Sequence, residues 1–210
     1  MVSASWPEPR RTPSARRHAT SVKIMVAGGL GVGKTTAVQS ISEIATINTD
    51  NWMTESGRPL DALADGQGKT TTTVAMDFGR ITLESDLVLY LFGTPGQPRF
   101  WTIWEDLCRG ASAALVLADA RRLETSFPAI DYFERDADIP FAVAVNRFDD
   151  VLAHPVERIR AALELPEHVP LTTVDARSRS SVARALITTV GHSLRQAVLA
   201  SGGDASGAGR

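Results

Sequence analysis

The chain has 210 residues, 43% of them hydrophobic and 22% charged, enough for one folded domain and incompatible with wholesale disorder. Its 22 Lys and Arg against 24 Asp and Glu give a net charge of -2, which argues against nucleic acid as the main partner, because phosphate neutralisation needs a basic surface. A single cysteine, Cys108, excludes an internal disulfide and a cysteine-rich metal site; with no long apolar run and no signal-peptide core, the sequence implies a cytoplasmic protein without an integral membrane segment.

Residues 1–20 set Pro7, Pro9 and Pro13 among Arg10, Arg11, Arg16 and Arg17, with no periodicity that could bury a face. They read as a flexible basic arm, and a solvated extension is the simplest account of its charge. An apolar strand over 22–27 (VKIMVA) then leads through a glycine-rich turn into a helix over 34–46. The stretch 47–72 exceeds an ordinary connection and predicts a functional loop or a short element of its own. Strands follow at 73–83 and 86–92, then a helix over 98–109, a strand at 113–119, a helix over 122–136, a strand at 141–145, a helix over 155–164, a strand at 170–174 and a helix over 179–199. In the last helix Ala183, Ile187, Val190, Leu194 and Val198 recur at three- and four-residue steps, which predicts one apolar stripe laid on the sheet. Residues 199–210 read as a disordered tail. Six strands alternating with five helices predict one α/β domain over 21–198, a mostly parallel six-stranded sheet with helices on both faces.

The turn after the first strand, Gly28-Gly29-Leu30-Gly31-Val32-Gly33-Lys34-Thr35, fits G-x-x-x-x-G-K-[ST] and lies between a strand and a helix, as the chemistry requires. Glycines let backbone N–H groups converge on phosphate oxygens, and the helix N-terminus adds its positive dipole. Lys34 would reach the β- and γ-phosphates, Thr35 would give its hydroxyl to Mg²⁺, and Thr36 continues the site into the helix. A chain of this composition would show about 0.003 such matches by chance.

A second signal, Asn146-Arg147-Phe148-Asp149, directly follows the strand FAVAV and so stands at the carboxyl edge of the sheet, where open α/β folds bind ligands. A carboxylate there can accept hydrogen bonds from guanine N1–H and the N2 amino group, a donor pair that adenine lacks. Asp149 would select guanine, and Asn146 would tie its loop to the cradle.

With these motifs the chain resembles the Ras-like small GTPases, most closely the bacterial MglA-like branch that includes the actinobacterial conservon GTPases. The resemblance spans about residues 21–198 and rests on motif order. Beside the cradle and the Asn146 loop stand Thr73-Val74-Ala75-Met76-Asp77-Phe78, like switch I; Gly93-Thr94-Pro95-Gly96-Gln97, like switch II; and Asp175-Ala176-Arg177, like the last base-binding loop. It implies that Thr73 meets Mg²⁺ and the γ-phosphate, that Gly96 presents its N–H to the γ-phosphate, that Gln97 orients the attacking water, and that Ala176 offers its N–H to guanine O6. The implied activity is hydrolysis of bound GTP to GDP and phosphate, slow without a regulator, in a switch whose output is partner binding.

Two residues depart from the Ras-like pattern. Gly93 stands where most such proteins carry an Asp that holds Mg²⁺ through water, and Arg147 replaces a Lys whose stem packs over the base. Arg99 and Arg58 are candidates for an arginine finger. Phe100, Ile103 and Leu107 share one face of the helix after Gln97, and Trp101, Trp104 and Cys108 the other; one face suits the core and the other a partner. The resemblance further implies a roadblock/longin-type regulator, with membrane association only peripheral and through partners. Two rival readings stand beside it: a P-loop ATPase of the partitioning or Min type, and a non-hydrolysing module gated by GTP.

Overall fold

The computed structural model describes residues 20–48, 76–84, 86–96, 103–148 and 154–204. They form a seven-stranded sheet in the order β2-β3-β4-β1-β5-β6-β7, built from β1 (Thr20–Gly28), β2 (Ile47–Asn48), β3 (Asp77–Glu84), β4 (Leu87–Gly93), β5 (Ala113–Asp119), β6 (Phe141–Asn146) and β7 (Leu171–Val174). The sheet is parallel from β4 through β1, β5, β6 and β7, while β3 runs antiparallel to both β2 and β4. The six expected strands are all present. The seventh, β2, is a two-residue edge strand inside the stretch 47–72.

The central strands are continuous apolar runs because both faces of the sheet are covered. Ile24 and Val26 of β1, with Leu115 and Leu117 of β5, face a core closed by α1 (Lys34–Ile41) and by α5 (Arg179–Asp204). Met25, Ala27, Val116 and Ala118 face the opposite core, closed by α2 (Trp104–Cys108), α3 (Phe127–Arg135) and α4 (Val156–Ala162). Alternation along each strand thus sorts side chains into two clusters.

Several helix bounds differ from the expected ones. Helix α1 ends at Ile41 rather than 46 because Ser42 turns extended; its hydroxyl donates to the Ile44 carbonyl at 2.8 Å, a local bond that competes with helix continuation. The α1 terminus is capped from afar, Arg179 Nη1 donating to the Ile41 carbonyl at 2.7 Å. The segment 122–136 divides into a 3₁₀ turn (Leu123–Thr125) and α3, with Pro128 in the first turn of α3, where its missing N–H costs nothing. Helix α5 continues to Asp204, beyond 199.

The stripe expected on α5 holds only in part. Ala183 and Val190 pack against the core, but Ile187, Leu194 and Val198 are exposed, while Val182, Ala185, Leu186, Thr189 and His192 are buried. Burying Thr189 is tolerable because its hydroxyl donates to the Ala185 carbonyl at 2.9 Å. In α2, Trp104 and Cys108 are buried, and Ile103 and Leu107 pack against the same cluster. Both faces of the described part of that helix are therefore core; Phe100 and Trp101 lie outside the described residues.

Candidate functional site

The cradle sits at the carboxyl end of β1, between β4 and β5. Gly33 takes φ 105° as the N-cap of α1, a left-handed conformation that favours glycine. A side chain there would also strike Asn146 Nδ2 at 2.7 Å. Lys34 is buried, and its Nζ donates to the carbonyls of Gly28 at 2.9 Å and Gly29 at 2.7 Å. Burial lowers its pKa to about 8, against the opposing pull of Asp77. Val32 is buried and Leu30 exposed, while Thr36 lies exposed on the first turn of α1.

Gly96 packs directly over the cradle: a side chain on it would lie 2.6 Å from Lys34 Nζ and 2.9 Å from the Leu30 nitrogen. This position between Gly29, Leu30 and Lys34 explains why glycine stands there. Thr35 donates its hydroxyl to Asp77 Oδ2 at 2.6 Å. Asp77 is buried at the start of β3 and pairs with Gly93 of β4. A side chain on Gly93 would come within 3.0 Å of Asp77 Cβ and 3.1 Å of its Oδ2. A carboxylate from the neighbouring strand thus stands beside Gly93, and it lies within the Thr73–Phe78 segment of the sequence.

Asn146 ends β6 and joins two loops. Its Nδ2 donates to the Val32 carbonyl at 2.9 Å, and its Oδ1 accepts from the Ala176 N–H at 3.1 Å. The resemblance assigns the Ala176 N–H to guanine O6; here it points at Asn146 Oδ1, where the β7 loop closes onto the end of β6. Arg147 is half-buried, and its charge helps lower the pKa of Asp175, mainly held down by hydrogen bonds from Arg177. Thr73, Gln97, Asp149, Arg58 and Arg99 lie outside the described residues.

One further charged group stands at this sheet edge. Asp119, fully buried at the end of β5, accepts from Arg121 Nε and Nη2 at 3.0 Å each and pairs with Arg122 Nη2 at 3.5 Å. Burial raises its pKa, but the hydrogen bonds from Arg121 and the two guanidinium charges outweigh this and leave it lowered. Arg121 lies 3.9 Å from the Phe148 ring centroid, so the guanidinium connects the ends of β5 and β6. The available signal was position: Asp119 closes an apolar strand at the same sheet edge as Asn146. A groove of about 1160 Å³ lies at the opposite edge, lined by Val22, Phe133, Phe141, Val169 and His192; the phosphate chemistry belongs to the carboxyl edge, where the backbone N–H groups of α1 and the loop side chains converge. Among the described residues no helix is long and apolar enough to cross a membrane, and no cluster of three metal-binding side chains occurs.

Comparison with known proteins agrees with this architecture. The cytosolic domain of the FeoB iron transporter of T. maritima, in its apo form and in GDP form I, superposes with a TM-score of 0.58 at 16% identity, over 83% of this chain and 64% of that one. At that identity the likeness concerns the fold, and the chain spans less than two thirds of that relative's length. A protein of Methanocaldococcus jannaschii described as uncharacterized protein MJ1339 is 30% identical over 129 residues, 61% of this chain and 71% of that relative. Residues 26–196 match the profile of a family described as conserved hypothetical ATP binding protein. That match includes the cradle, the Asn146 bridge and the sheet that carries them, and the chain belongs to this family of nucleotide-binding P-loop NTPases.

Proposed function

We propose that the chain is a guanine-nucleotide switch, which binds GTP, hydrolyses it slowly to GDP and phosphate, and signals through partner binding. The observation that carries this reading is Asn146, which ties the end of β6 to the cradle at Val32 and to the 175–177 loop at Ala176. That tie, together with the sequence position of Asp149 three residues on, supports Asp149 as the reader of the guanine edge. Lys34 and the cradle N–H groups neutralise phosphate charge, and Gln97 places the water. The hard oxygen donors Thr35 and Asp77, 2.6 Å apart, suit Mg²⁺; they would hold it together with Thr73, and the ion would supply positive charge to the phosphates. The sequence resemblance to the MglA-like branch supports a roadblock/longin-type regulator as partner.

Competition binding tests the reading. GTP and GDP should displace a labelled guanine nucleotide at least tenfold better than ATP, and Asp149→Asn should move the preference toward xanthosine nucleotide. Tighter ATP binding would replace the switch with an ATPase, the rival that the family's description favours. GTP binding without phosphate release, unchanged by Gln97→Leu, would leave only a gated interaction module.

A further inference from the structure

We infer that Arg122 is a phosphate-side cation supplied in cis, the chain's own counterpart of an arginine finger; this rests on the guanine-nucleotide reading of the same site. The geometry begins with the turn after β5. Arg122 N–H donates to the Asp119 carbonyl at 2.9 Å, and the Arg122 carbonyl accepts from the Thr125 N–H at 3.1 Å and its hydroxyl at 2.8 Å. The turn is packed on the glycine cradle. A side chain on Gly29 would meet Thr125 Cβ and Oγ1 at 2.7 Å, and one on Gly31 would lie 3.7 Å from Arg122 Nη2. The Arg122 guanidinium is therefore held beside the phosphate turn, on the side facing Gly31.

Charge balance distinguishes Arg122 from its neighbour. Asp119 carries one negative charge and faces two guanidinium groups. Arg121 takes both carboxylate oxygens at 3.0 Å, which leaves Arg122 a single longer contact of 3.5 Å. The Arg122 side chain is half-exposed, while Asp119 is buried. The cluster thus carries a net positive charge at its outer member, next to a loop shaped for phosphate. A half-solvated guanidinium with one long ion pair loses little by moving onto a phosphate oxygen, where charge-assisted hydrogen bonds are stronger. Charge developing on transferring phosphoryl oxygens is what such a group stabilises, and arginines in that role contribute about 10³- to 10⁵-fold in rate.

Single-turnover GTP cleavage, with Kd values for GDP and for GDP plus aluminium fluoride, tests the assignment on the full chain. Arg122→Ala should slow cleavage by about 10³-fold and abolish aluminium fluoride binding, while GDP affinity changes less than about fivefold. Arg122→Lys should recover little, because a lysine ammonium lacks the planar fork. Circular dichroism and the thermal midpoint establish that each variant is folded; loss of GDP binding together with cleavage would mark a structural role and overturn the proposal. Wild-type cleavage and aluminium fluoride binding in Arg122→Ala would overturn it as well, as would a wild-type chain that binds GTP but never cleaves it, and both leave the guanine reading intact. A wild-type chain that ignores GTP would end both.

Discussion

Lys34 shows how burial and ligand binding are linked at one residue. Its ammonium rests on two cradle carbonyls, and its pKa is lowered to about 8 by burial. Phosphate oxygens would favour the charged form and raise that pKa again. Binding a nucleotide at pH 8 should then take up about half a proton, and at pH 6.5 almost none. Calorimetry in buffers of different ionisation enthalpy measures this; equal enthalpies in all buffers at pH 8 would refute it. Gly93 and Asp77 form a second pair to test. Gly93→Asp brings a second carboxylate against Asp77 Oδ2 and should cost about 2–4 kcal/mol in urea unfolding. Combining it with Asp77→Ala should recover most of that loss, since the carboxylate has only moved between adjacent strands. The glycine at 93 is visible in the sequence, but its carboxylate neighbour is not, because the register of the β3–β4 pair, with its irregularity between Thr82 and Glu84, decides which residue faces it.

At the scale of the element, α5 shows the limit of periodicity. Two sets of residues recur at three- and four-residue steps: Ala183, Ile187, Val190, Leu194 and Val198, and Val182, Ala185, Leu186, Thr189 and His192. The first is more apolar, yet only Ala183 and Val190 of it pack against the core, while the whole of the second is buried. A threonine and a histidine are accommodated in the second set, and the neighbouring Ser181 hydroxyl accepts the Asp175 N–H at 3.0 Å, which ties the start of α5 to the 175–177 loop. Leu186→Ala should therefore cost about 2–5 kcal/mol, while Leu194→Ala should stay within about 0.5 kcal/mol; urea denaturation of both variants decides which stripe faces the sheet. Helix α1 illustrates the same point at a boundary. Its apolar pattern continues toward residue 46, but Ser42 and the Arg179 cap stop it at Ile41.

Across the whole molecule, the phosphate turn, the Asn146 loop and the β3 carboxylate come from strands far apart in sequence and adjacent at one sheet edge. Nucleotide binding therefore joins several elements and should stabilise the entire domain. At a thousandfold excess over Kd, GTP with Mg²⁺ should add about 4 kcal/mol to unfolding, and chelating the metal should remove part of that gain. Thermal unfolding with GTP, ATP and EDTA reads this directly; a midpoint insensitive to all three would remove the site from nucleotide chemistry.

The sequence alone determined the strand count to within one short edge strand, the two-sided burial of the sheet and the phosphate turn, because these depend on local hydrophobic runs and on glycine spacing. Only the tertiary structure decided which residues of α5 pack, which carboxylate Thr35 meets, what the Ala176 N–H bonds to and which arginine stands beside Gly31. Each of these depends on groups brought together by sheet order, and β1 pairs with β4 and β5 rather than with its neighbours along the chain. Local pattern carries no information about such distances, since they exist only once the strands have chosen their partners.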